Sequence, residues 1–355
     1  MTKRWLLPGT LFFLALSSIL ILRSVAPLLL QRQLLFFALG TGIFWLTSRI
    51  SFERWQSLAW YLYGLLVGSL ALTQLIATVT RGTKSWIELG PFHAQPSQLA
   101  VAISGLTIGR YLERHKQLGL KEYVILLLLI AAPALFIFTE PDLGTTAIYA
   151  LSLLPALSLS KVPKLYLVWT LTLGIVVVAL SWMFLLKPYQ RQRITSFISS
   201  DEHTQTASYN AIQSVIAVGS GGATGRGLGQ GTQSQLRFLP ERQTDFVFAS
   251  FAEETGFLGG ALLISLYAVL VGICLSAAAQ LNSLSMKVFT LITAVMFLAQ
   301  VGVNIGMNIG LVPITGITLP FVSYGGSSIL ALSFHLGIVQ STFMQFSVKE
   351  KLFIR

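Results

Sequence analysis

Charged residues are scarce in this sequence of 355 residues. Asp, Glu, Lys and Arg make up 10% of it, against about 25% in an ordinary soluble domain. Hydrophobic residues make up 54%, which excludes an intrinsically disordered chain and an ordinary soluble enzyme. The single cysteine, Cys274, excludes an intramolecular disulfide and a cysteine-based metal site. What remains is a membrane protein built from apolar helices.

Apolar stretches without any charged residue recur along the chain. A membrane-spanning helix needs about 20 such residues. One stretch, 288–348, holds two helices because Pro313, Gly316 and Pro320 interrupt it. The sequence therefore predicts one all-α polytopic membrane domain over residues 1–355, with about ten transmembrane helices. The other eight predicted spans lie in the stretches 5–22, 33–48, 55–80, 89–109, 123–139, 143–160, 165–186 and 255–286.

The distribution of Lys and Arg predicts the orientation of these spans. Basic residues in short loops favour the cytoplasmic side. With the N-terminus inside, the inner segments carry fourteen Lys and Arg residues and the short outer loops carry four. We therefore expect both termini inside. The net charge of +11 then faces anionic lipid, and nucleic-acid binding is not expected because there is no basic soluble domain.

One long polar segment, 187–254, falls on the outer side between spans seven and eight. Loops of this length are usually functional. Its glycine-rich run, 219–231, either presents backbone N–H groups to a phosphate or forms a tightly turning loop. The basic residues Lys187, Arg191 and Arg193 suit an anionic head group such as a diphosphate, and they equally suit an anchor in the membrane interface.

Two acidic residues stand at predicted helix starts. Asp245 precedes an apolar run, where a carboxylate can have a raised pKa and accept a proton from a hydroxyl, or can complement a helix dipole. Asp142 opens span six, where a helix cap is the simpler interpretation. His335, in the last span, is interpreted as a partner in a hydrogen bond between helices.

Several of these segments together resemble the SEDS family (shape, elongation, division and sporulation), and its RodA branch most closely. The similarity extends over nearly the whole chain in motif order and in the ten-span layout. The motifs that carry it are Lys187-Pro-Tyr-Gln-Arg-Gln-Arg-Ile194, the glycine-rich run 219–231, Thr232-Gln-Ser-Gln-Leu-Arg-Phe-Leu-Pro-Glu-Arg242, Thr244-Asp-Phe-Val-Phe-Ala249 and Leu319-Pro-Phe-Val-Ser-Tyr-Gly-Gly-Ser-Ser328.

The resemblance implies a peptidoglycan glycosyltransferase that polymerises lipid II at the outer face of the bacterial cytoplasmic membrane, with roles in cell shape, division or sporulation. The GlcNAc 4-hydroxyl of one lipid-linked disaccharide attacks MurNAc C1 of another, and undecaprenyl diphosphate leaves. Asp245 matches the family's essential aspartate, and the chemistry favours it as the general base.

The resemblance also suggests roles for other residues. No covalent cofactor is expected; a divalent cation, Mg²⁺ or Mn²⁺, is compatible with the chemistry, although no residue pattern assigns its site. The expected partners are lipid II, undecaprenyl-linked glycan, membrane lipids and a class B penicillin-binding protein. Diphosphate contacts are expected from Lys187, Arg191 and Arg193 and less strongly from Arg237 and Arg242, acceptor or metal binding from Glu241, and further family-motif positions are Thr244, Ser323, Tyr324, Gly325, Gly326 and Asp142.

Two departures from the family pattern set this sequence apart. At the start of span four the family has Pro-Ser-Glu-x-x-Lys, whereas this chain has Gln98 and Val101 at the charged positions. Loss of both charges together leaves no unpaired buried charge, so we infer a structural role for the usual pair. Gln243 stands where the family commonly has His.

Two alternative functions compete with the transferase. A lipid II flippase or other transporter would need polar groups along a path through the bundle. A catalytically inactive scaffold for cell-wall partners is motivated by Gln98 and Val101. Polymerisation by the purified protein separates the transferase from the scaffold.

Overall fold

The computed structural model describes residues 3–80, 83–89, 92–115, 117–198 and 207–353. Over these residues the chain is a bundle of helices with one small sheet. Single turns of 3₁₀ and π helix occupy Pro96–Leu99 and Ser181–Leu185. The helices are α1 Lys3–Val25, α2 Pro27–Arg49, α3 Phe52–Ile76, α4 Ala100–Arg114, α5 Leu120–Thr139, α6 Leu143–Ser152, α7 Leu154–Ser158, α8 Lys164–Leu180, α9 Pro188–Ile198, α10 Ala207–Ser220, α11 Thr232–Gln235, α12 Val247–Gln280, α13 Leu284–Asn308 and α14 Gly326–Phe353.

The sheet lies at the start of α14. Its antiparallel strands, in the order β1-β2-β3, are Thr78–Thr80, Thr83–Leu89 and Phe92–Ala94. The Ser327 hydroxyl, in the first turn of α14, donates a hydrogen bond to the carbonyl of His93 in β3. The sheet therefore sits at the end of the bundle from which α14 begins.

Eight of the helices that the structure describes are long and apolar enough to cross a membrane. The remaining two predicted spans correspond to shorter helices: α4 has 15 residues, and α6 and α7 together form the apolar segment Leu143–Ser158. The chain is thus a multi-pass membrane protein, while the count of ten and the orientation stay predictions. The eight candidate spans are Trp5–Val25, Pro27–Arg49, Phe52–Ile76, Leu120–Thr139, Lys164–Leu185, Val247–Gln280, Leu284–Asn308 and Gly326–Gln345.

Burial differs sharply between α4 and α8. Twelve of the fifteen residues of α4 are buried, because α3, α5 and α13 all pack against it. None of the residues of α8 is buried, although this helix is the more apolar of the two. Because lipid tails are as apolar as leucine, a helix can expose such side chains to a bilayer without cost. We infer that α4 forms the centre of the bundle and that α8 faces lipid.

Small residues and hydrogen bonds join the spans, as expected where no water drives helices together. A Cβ added at Gly105 in α4 would lie 3.2 Å from the Phe289 ring in α13, so the two helices approach closely. His335 Nε2 lies 2.9 Å from the Thr293 hydroxyl of α13, and both residues are buried. The interpretation of His335 as an interhelical hydrogen-bond partner is confirmed.

Helix α12 begins at Val247, inside the segment predicted as loop, and it is interrupted at Gly256. Gly256 has φ of 70° and ψ of −168°, a conformation open essentially to glycine alone. The glycine-rich segment 222–227 fills the break. Two of its N–H groups donate to the carbonyls of Glu253 and Glu254 at 3.0 Å each, and two of its carbonyls accept from N–H groups just after Gly256, at 2.8 and 3.1 Å. The segment thus satisfies backbone groups that the broken helix leaves without partners.

Gly256→Ala should destabilise the fold, because a Cβ there would lie 2.2 Å from the backbone nitrogen of Gly225. Together with the left-handed backbone, this clash is expected to cost about 2 kcal/mol or more. Gly272→Ala in the same helix is the matched control, since a Cβ there meets nothing within 4 Å. Thermal unfolding in detergent should show a lower midpoint for Gly256→Ala alone. Equal midpoints for the two variants would contradict this account of the break.

Candidate functional site

Asp245 lies in the turn just before α12, at the edge of the apolar core. Its side chain is half-buried, whereas the next two residues, Phe246 and Val247, are 2% and 0% exposed. A Cβ added at Gly316 would lie 3.6 Å from Asp245 Oδ2, so the loop after α13 borders the carboxylate. The structure thus places Asp245 at the apolar boundary that the sequence predicted.

Two motifs that are far apart in the sequence meet at this turn. Ser323 Oγ donates to the Thr244 carbonyl at 2.6 Å and accepts from the Leu319 N–H at 2.8 Å. The N–H of Tyr324 donates to the Gln243 carbonyl at 2.8 Å. The family-motif segment before α14 therefore holds the main chain of the residues before Asp245. At Gln243, where the family has His, this contact uses only the backbone.

The glycines of the same motif bring this segment close to α2. The Gly325 N–H donates to the buried Gln33 Oε1 at 3.4 Å, and Gln33 Nε2 donates to the Ser323 carbonyl at 3.2 Å. A Cβ at Gly326 would lie 2.6 Å from the Phe36 ring. We infer that Gly326 is required for packing against α2, whereas Gly325 contributes its backbone N–H.

The backbone around Asp245 is strained at three positions. Arg237, Glu241 and Phe321 adopt positive φ values of 62°, 50° and 62°, although none is glycine. Each such residue costs about 1–3 kcal/mol and persists only where the surroundings fix it. Clusters of this kind occur at active sites. The strain therefore supports the assignment of this turn as the functional site.

Glu241 belongs to the turn through its carboxylate. The Thr244 hydroxyl donates to Glu241 Oε2 at 2.9 Å, and the Thr244 N–H donates to the Glu241 carbonyl at 3.0 Å. Thr244 and Glu241 therefore shape the turn that presents Asp245.

Arg242 uses part of its guanidinium on the protein itself. Its Nε donates to the Val25 carbonyl at 3.0 Å and its Nη1 to the Ser234 carbonyl at 2.5 Å. Burial lowers the pKa of Arg242, and the positive charge of Arg237 lowers it further. The guanidinium groups of Arg237 and Arg242 are therefore near enough to repel one another.

The basic cluster after span seven lies on and just before α9. The Lys187 N–H donates to Gln190 Oε1 at 2.9 Å, and Gln190 Nε2 donates to the Pro141 carbonyl at 3.2 Å. Arg191 Nη2 donates to the Met183 carbonyl at 3.2 Å. Lys187 and Arg193 are exposed. Gln190 thus fixes the cluster to the start of α6.

Packing contacts connect the start of α6 with the turn of Asp245. A Cβ at Gly144, in the first turn of α6, would lie 3.1 Å from the Thr315 carbonyl and 2.8 Å from the Ile317 side chain. Gly316, between these two residues, borders Asp245. The start of α6, the loop after α13 and the turn of Asp245 therefore lie side by side.

The glycine-rich run acts as a structural loop. Its segment 222–227 is bonded to the break in α12, as described above, and Gly225 N–H donates to the Gly221 carbonyl at 2.8 Å. A Cβ at Gly221 would lie 2.1 Å from the Ala252 carbonyl oxygen. The glycines permit this close backbone approach. Of the two interpretations of the run, the structure favours the tightly turning loop.

Glu253 and Glu254 of α12 bind α11 and α1. Glu253 is buried and accepts from the N–H groups of Gln233 and Ser234 at 2.8 and 3.0 Å and from the Ser234 hydroxyl at 2.7 Å. Glu254 Oε1 accepts from Ser24 in α1 at 2.5 Å and from Gln235 at 3.0 Å. These bonds explain how α12 can carry two buried carboxylates near its beginning. The span predicted from charge-free residues began only at 255 and therefore left them out.

Asp142 caps α6. Its Oδ1 accepts from the Thr145 N–H at 2.9 Å and its Oδ2 from the Thr145 hydroxyl at 2.7 Å. This is the helix-cap geometry that the sequence favoured. Asp142 supports the functional site by fixing the start of α6.

The two neutral residues that replace the family's charged pair at the start of span four both fit into the structure. Gln98 Nε2 donates to Gln95 Oε1 at 3.1 Å, and Val101 is 7% exposed within the core.

Beside the start of span four lies Glu140, which is fully buried and accepts from the Thr73 hydroxyl at 2.9 Å. Burial raises the pKa of Glu140 to about 8, the Thr73 bond opposes the rise, and the charge of Asp142 adds to it.

Stability should therefore fall as pH rises through the range of the Glu140 titration. The pKa is raised in the folded state, so folding favours the protonated carboxyl, and stability present at low pH is lost between the ordinary value of 4.5 and about 8. Glu140→Gln keeps the shape without the titration. Thermal unfolding at pH 5 and pH 8 should show a smaller loss for Glu140→Gln than for wild type. An identical pH dependence in both proteins would contradict the assignment.

Sequence reasoning assigned no role to two other residues at the site, Asn304 and Asn308 of α13. Both amides donate to the carbonyl of Asp245 at 3.1 Å. The signal for them was the pair of asparagines four residues apart in an apolar span, since such residues are costly in a membrane unless they have partners.

Comparison with known proteins identifies the family. The family model described as "Cell cycle protein", FtsW/RodA/SpoVE, matches residues 3–347. Peptidoglycan glycosyltransferase MrdB of Escherichia coli K12 is 37% identical over 320 residues, covering 88% of this chain and 85% of the relative. A chain from a peptidoglycan synthase complex has a TM-score of 0.81 at 30% identity, covering 95% of this chain and 96% of its own. The crystal structure of Thermus thermophilus rod shape determining protein RodA has a TM-score of 0.72 at 28% identity, covering 95% of each chain. The chain belongs to the FtsW/RodA/SpoVE family, the SEDS family that its motifs resemble.

Proposed function

We propose that this chain is a peptidoglycan glycosyltransferase that polymerises lipid II at the outer face of the bacterial cytoplasmic membrane. The observation that carries the proposal is the position of Asp245 in a strained, tightly bonded turn at the edge of the apolar core. The similarity to relatives named as peptidoglycan glycosyltransferases supports the same activity.

In the proposed step, Asp245 takes the proton of the acceptor's GlcNAc 4-hydroxyl. The hydroxyl oxygen forms a bond to MurNAc C1 of the donor, and the bond between C1 and the diphosphate oxygen breaks. The electron pair of that bond leaves with undecaprenyl diphosphate. The step thus needs a base on one side of the sugar carbon and positive charge on the other.

Basic side chains supply the positive charge in this proposal. Lys187, Arg191 and Arg193 follow span seven, and Arg237 and Arg242 precede Asp245 in the chain. The mutual repulsion of Arg237 and Arg242 would be offset by a bound anion, which supports their role as diphosphate contacts. Arg side chains bind such groups through several N–H donors at once.

A divalent cation would need ligands beyond those that the protein offers. Among the described residues, no three of His, Cys, Asp and Glu are grouped so that they could hold a metal ion. Asp245 and Glu241 are the carboxylates of the turn, so Mg²⁺ or Mn²⁺ bound there would take further ligands from substrate oxygens or water. In that arrangement the ion would supply additional charge neutralisation for the diphosphate.

The apolar surface of α8 suits the lipid part of the substrate. This helix exposes large side chains along its length, including Trp169, Ile175 and Val178 at 69%, 71% and 70%. It ends at the π turn that leads directly to Lys187. A prenyl tail lying against α8 would therefore bring its diphosphate to the basic cluster.

Two tyrosines deep in the described spans are hydrogen-bonded to other groups of the protein, which favours the transferase over a transporter. Tyr149 donates to Ser104 at 2.8 Å, and Tyr267 donates to the Pro320 carbonyl at 2.6 Å. A transport path would need such groups to face the substrate instead.

We also propose that the protein works with a class B penicillin-binding protein, which would join the peptides of the new strands. The support is the similarity to a chain from a peptidoglycan synthase complex that coordinates polymerisation and crosslinking.

Asp245→Asn should abolish polymerisation of labelled lipid II by the purified protein with its penicillin-binding partner. A general base contributes typically about 10²–10⁴-fold to a rate, and Asn cannot accept the proton. Glu88→Gln is the matched control, because it removes an exposed carboxylate from the sheet at the start of α14. Wild-type rates from folded Asp245→Asn protein would overturn the assignment of the base.

Lys187→Gln and Arg193→Gln should each lower kcat/KM for lipid II. A hydrogen bond to a charged group contributes about 1.5–3 kcal/mol, which corresponds to roughly tenfold or more. Lys164→Gln is the control, since Lys164 is equally exposed but lies at the opposite end of α8. Equal effects at all three positions would indicate a general effect of surface charge instead of diphosphate binding.

A further inference from the structure

Two buried amides of α13 meet at one peptide carbonyl. Asn304 and Asn308 are four residues apart, hence on one face of the helix, and both are 0% exposed. Each donates its Nδ2 hydrogen to the carbonyl oxygen of Asp245 at 3.1 Å. A carbonyl oxygen has two lone pairs, so this oxygen is held from two directions by one rigid helix.

Each amide also holds a second part of the site. Asn304 Nδ2 donates to the Ile317 carbonyl at 2.7 Å, next to Gly316, which borders the Asp245 carboxylate. The same side chain thus connects the turn of Asp245 with the loop that faces its carboxylate. A change at Asn304 would release both.

Asn308 fixes the beginning of α12. Its Oδ1 accepts from the Ala249 N–H at 3.0 Å, one of the first-turn groups that have no partner within a helix. The Ser214 hydroxyl of α10 donates to the Asn308 carbonyl at 2.9 Å. Asn308 therefore relates α10, the start of α12 and the turn of Asp245 to α13.

We propose that Asn304 and Asn308 are positioning residues for the polymerisation reaction. They hold the peptide of Asp245, and with it the carboxylate, at the distance that proton transfer from the acceptor hydroxyl requires. Ser323 holds the preceding carbonyl, that of Thr244, so consecutive peptides are fixed by α13 and by the motif before α14. This inference rests on the proposed function of Asp245.

The expected effect is on kcat more than on KM. The asparagines contact the protein backbone, so substrate affinity should stay nearly constant. A displacement of about 1 Å at a catalytic group can cost about 100-fold in rate. Loss of one donor is therefore expected to lower kcat roughly 10- to 100-fold while KM for lipid II changes by no more than about twofold.

The test uses Asn304→Leu and Asn308→Leu, which remove the amides but keep the branching of the side chain, in the full-length protein with its penicillin-binding partner. Thr293→Val is the matched control: Thr293 is a buried, hydrogen-bonded residue of the same helix that contacts His335 instead of the site. Size-exclusion profiles and thermal midpoints identify folded variants. If a leucine variant does not fold, Asn304→Ser and Asn308→Ser replace it, because the shorter hydroxyl keeps polarity at the position but does not reach the carbonyl.

A second measurement asks whether the asparagines act through Asp245. Asp245→Glu keeps a carboxylate but displaces it, so positioning by the asparagines should matter less in that background. The proposal predicts a loss of kcat from Asn308→Leu that is several-fold smaller in Asp245→Glu than in wild type. If Asn308 had a purely structural role, Asn308→Leu would lower kcat by the same factor in both backgrounds.

Three outcomes would overturn the proposal. The first is a wild-type kcat in the folded asparagine variants, and the second is an equal loss in Thr293→Val. The third is a loss of kcat from Asn308→Leu that is as large in the Asp245→Glu background as in wild type. Full activity of Asp245→Asn would instead remove the proposed function on which the inference rests, so the two failures are distinguishable.

Discussion

The structure depends on the pairing of backbone groups at the two places where α12 is not an ordinary helix. In an apolar surrounding, each unpaired N–H or C=O group costs several kcal/mol. At its start, α12 obtains a partner for the Ala249 N–H from Asn308. At its break, it obtains partners from the glycine-rich segment 222–227. The position of the chain from the glycine-rich segment to the start of α12 therefore depends on what α12 lacks.

The functional turn follows from these bonds. Because the glycine-rich segment must lie against the break, and because Glu253 and Glu254 bind α11 and α1, little freedom remains for the chain before Asp245. Within this stretch Arg237 and Glu241 have strained backbone. The energy of the surrounding hydrogen bonds and packing offsets that strain, and a carboxylate is thereby held at the edge of the core.

Much of this arrangement was predictable from the sequence, for identifiable reasons. The length of charge-free stretches predicted most spans because the bilayer sets the length of an apolar helix. The same criterion left residues 247–254 out of α12, because Glu253 and Glu254 are charged. Tertiary hydrogen bonds stabilise these two carboxylates within the helix. The motifs predicted Asp245 and Ser323 as family positions, but the hydrogen bond between Ser323 and the Thr244 carbonyl depends on helices that lie about 80 residues apart in the chain.

Other features could not be predicted from local patterns. The buried state of Glu140 depends on packing against Thr73 and the start of span four, and nothing in the neighbouring sequence indicates it. The two interpretations of the glycine-rich run differed only in whether its N–H groups had partners in the protein, which is a tertiary property. Asn304 and Asn308 were recognisable as rare polar residues of a span, but their common partner, the carbonyl of Asp245, was not.

The central claim is that the Asp245 carboxylate takes the acceptor proton, and chemical rescue tests it most directly. Polymerisation of labelled lipid II by folded Asp245→Ala protein would be measured without and with increasing formate, a small carboxylate that can occupy the space left by the side chain. The account predicts almost no polymer without formate and a rate that rises with its concentration. Polymerisation by Asp245→Ala at the wild-type rate in the absence of formate would contradict it.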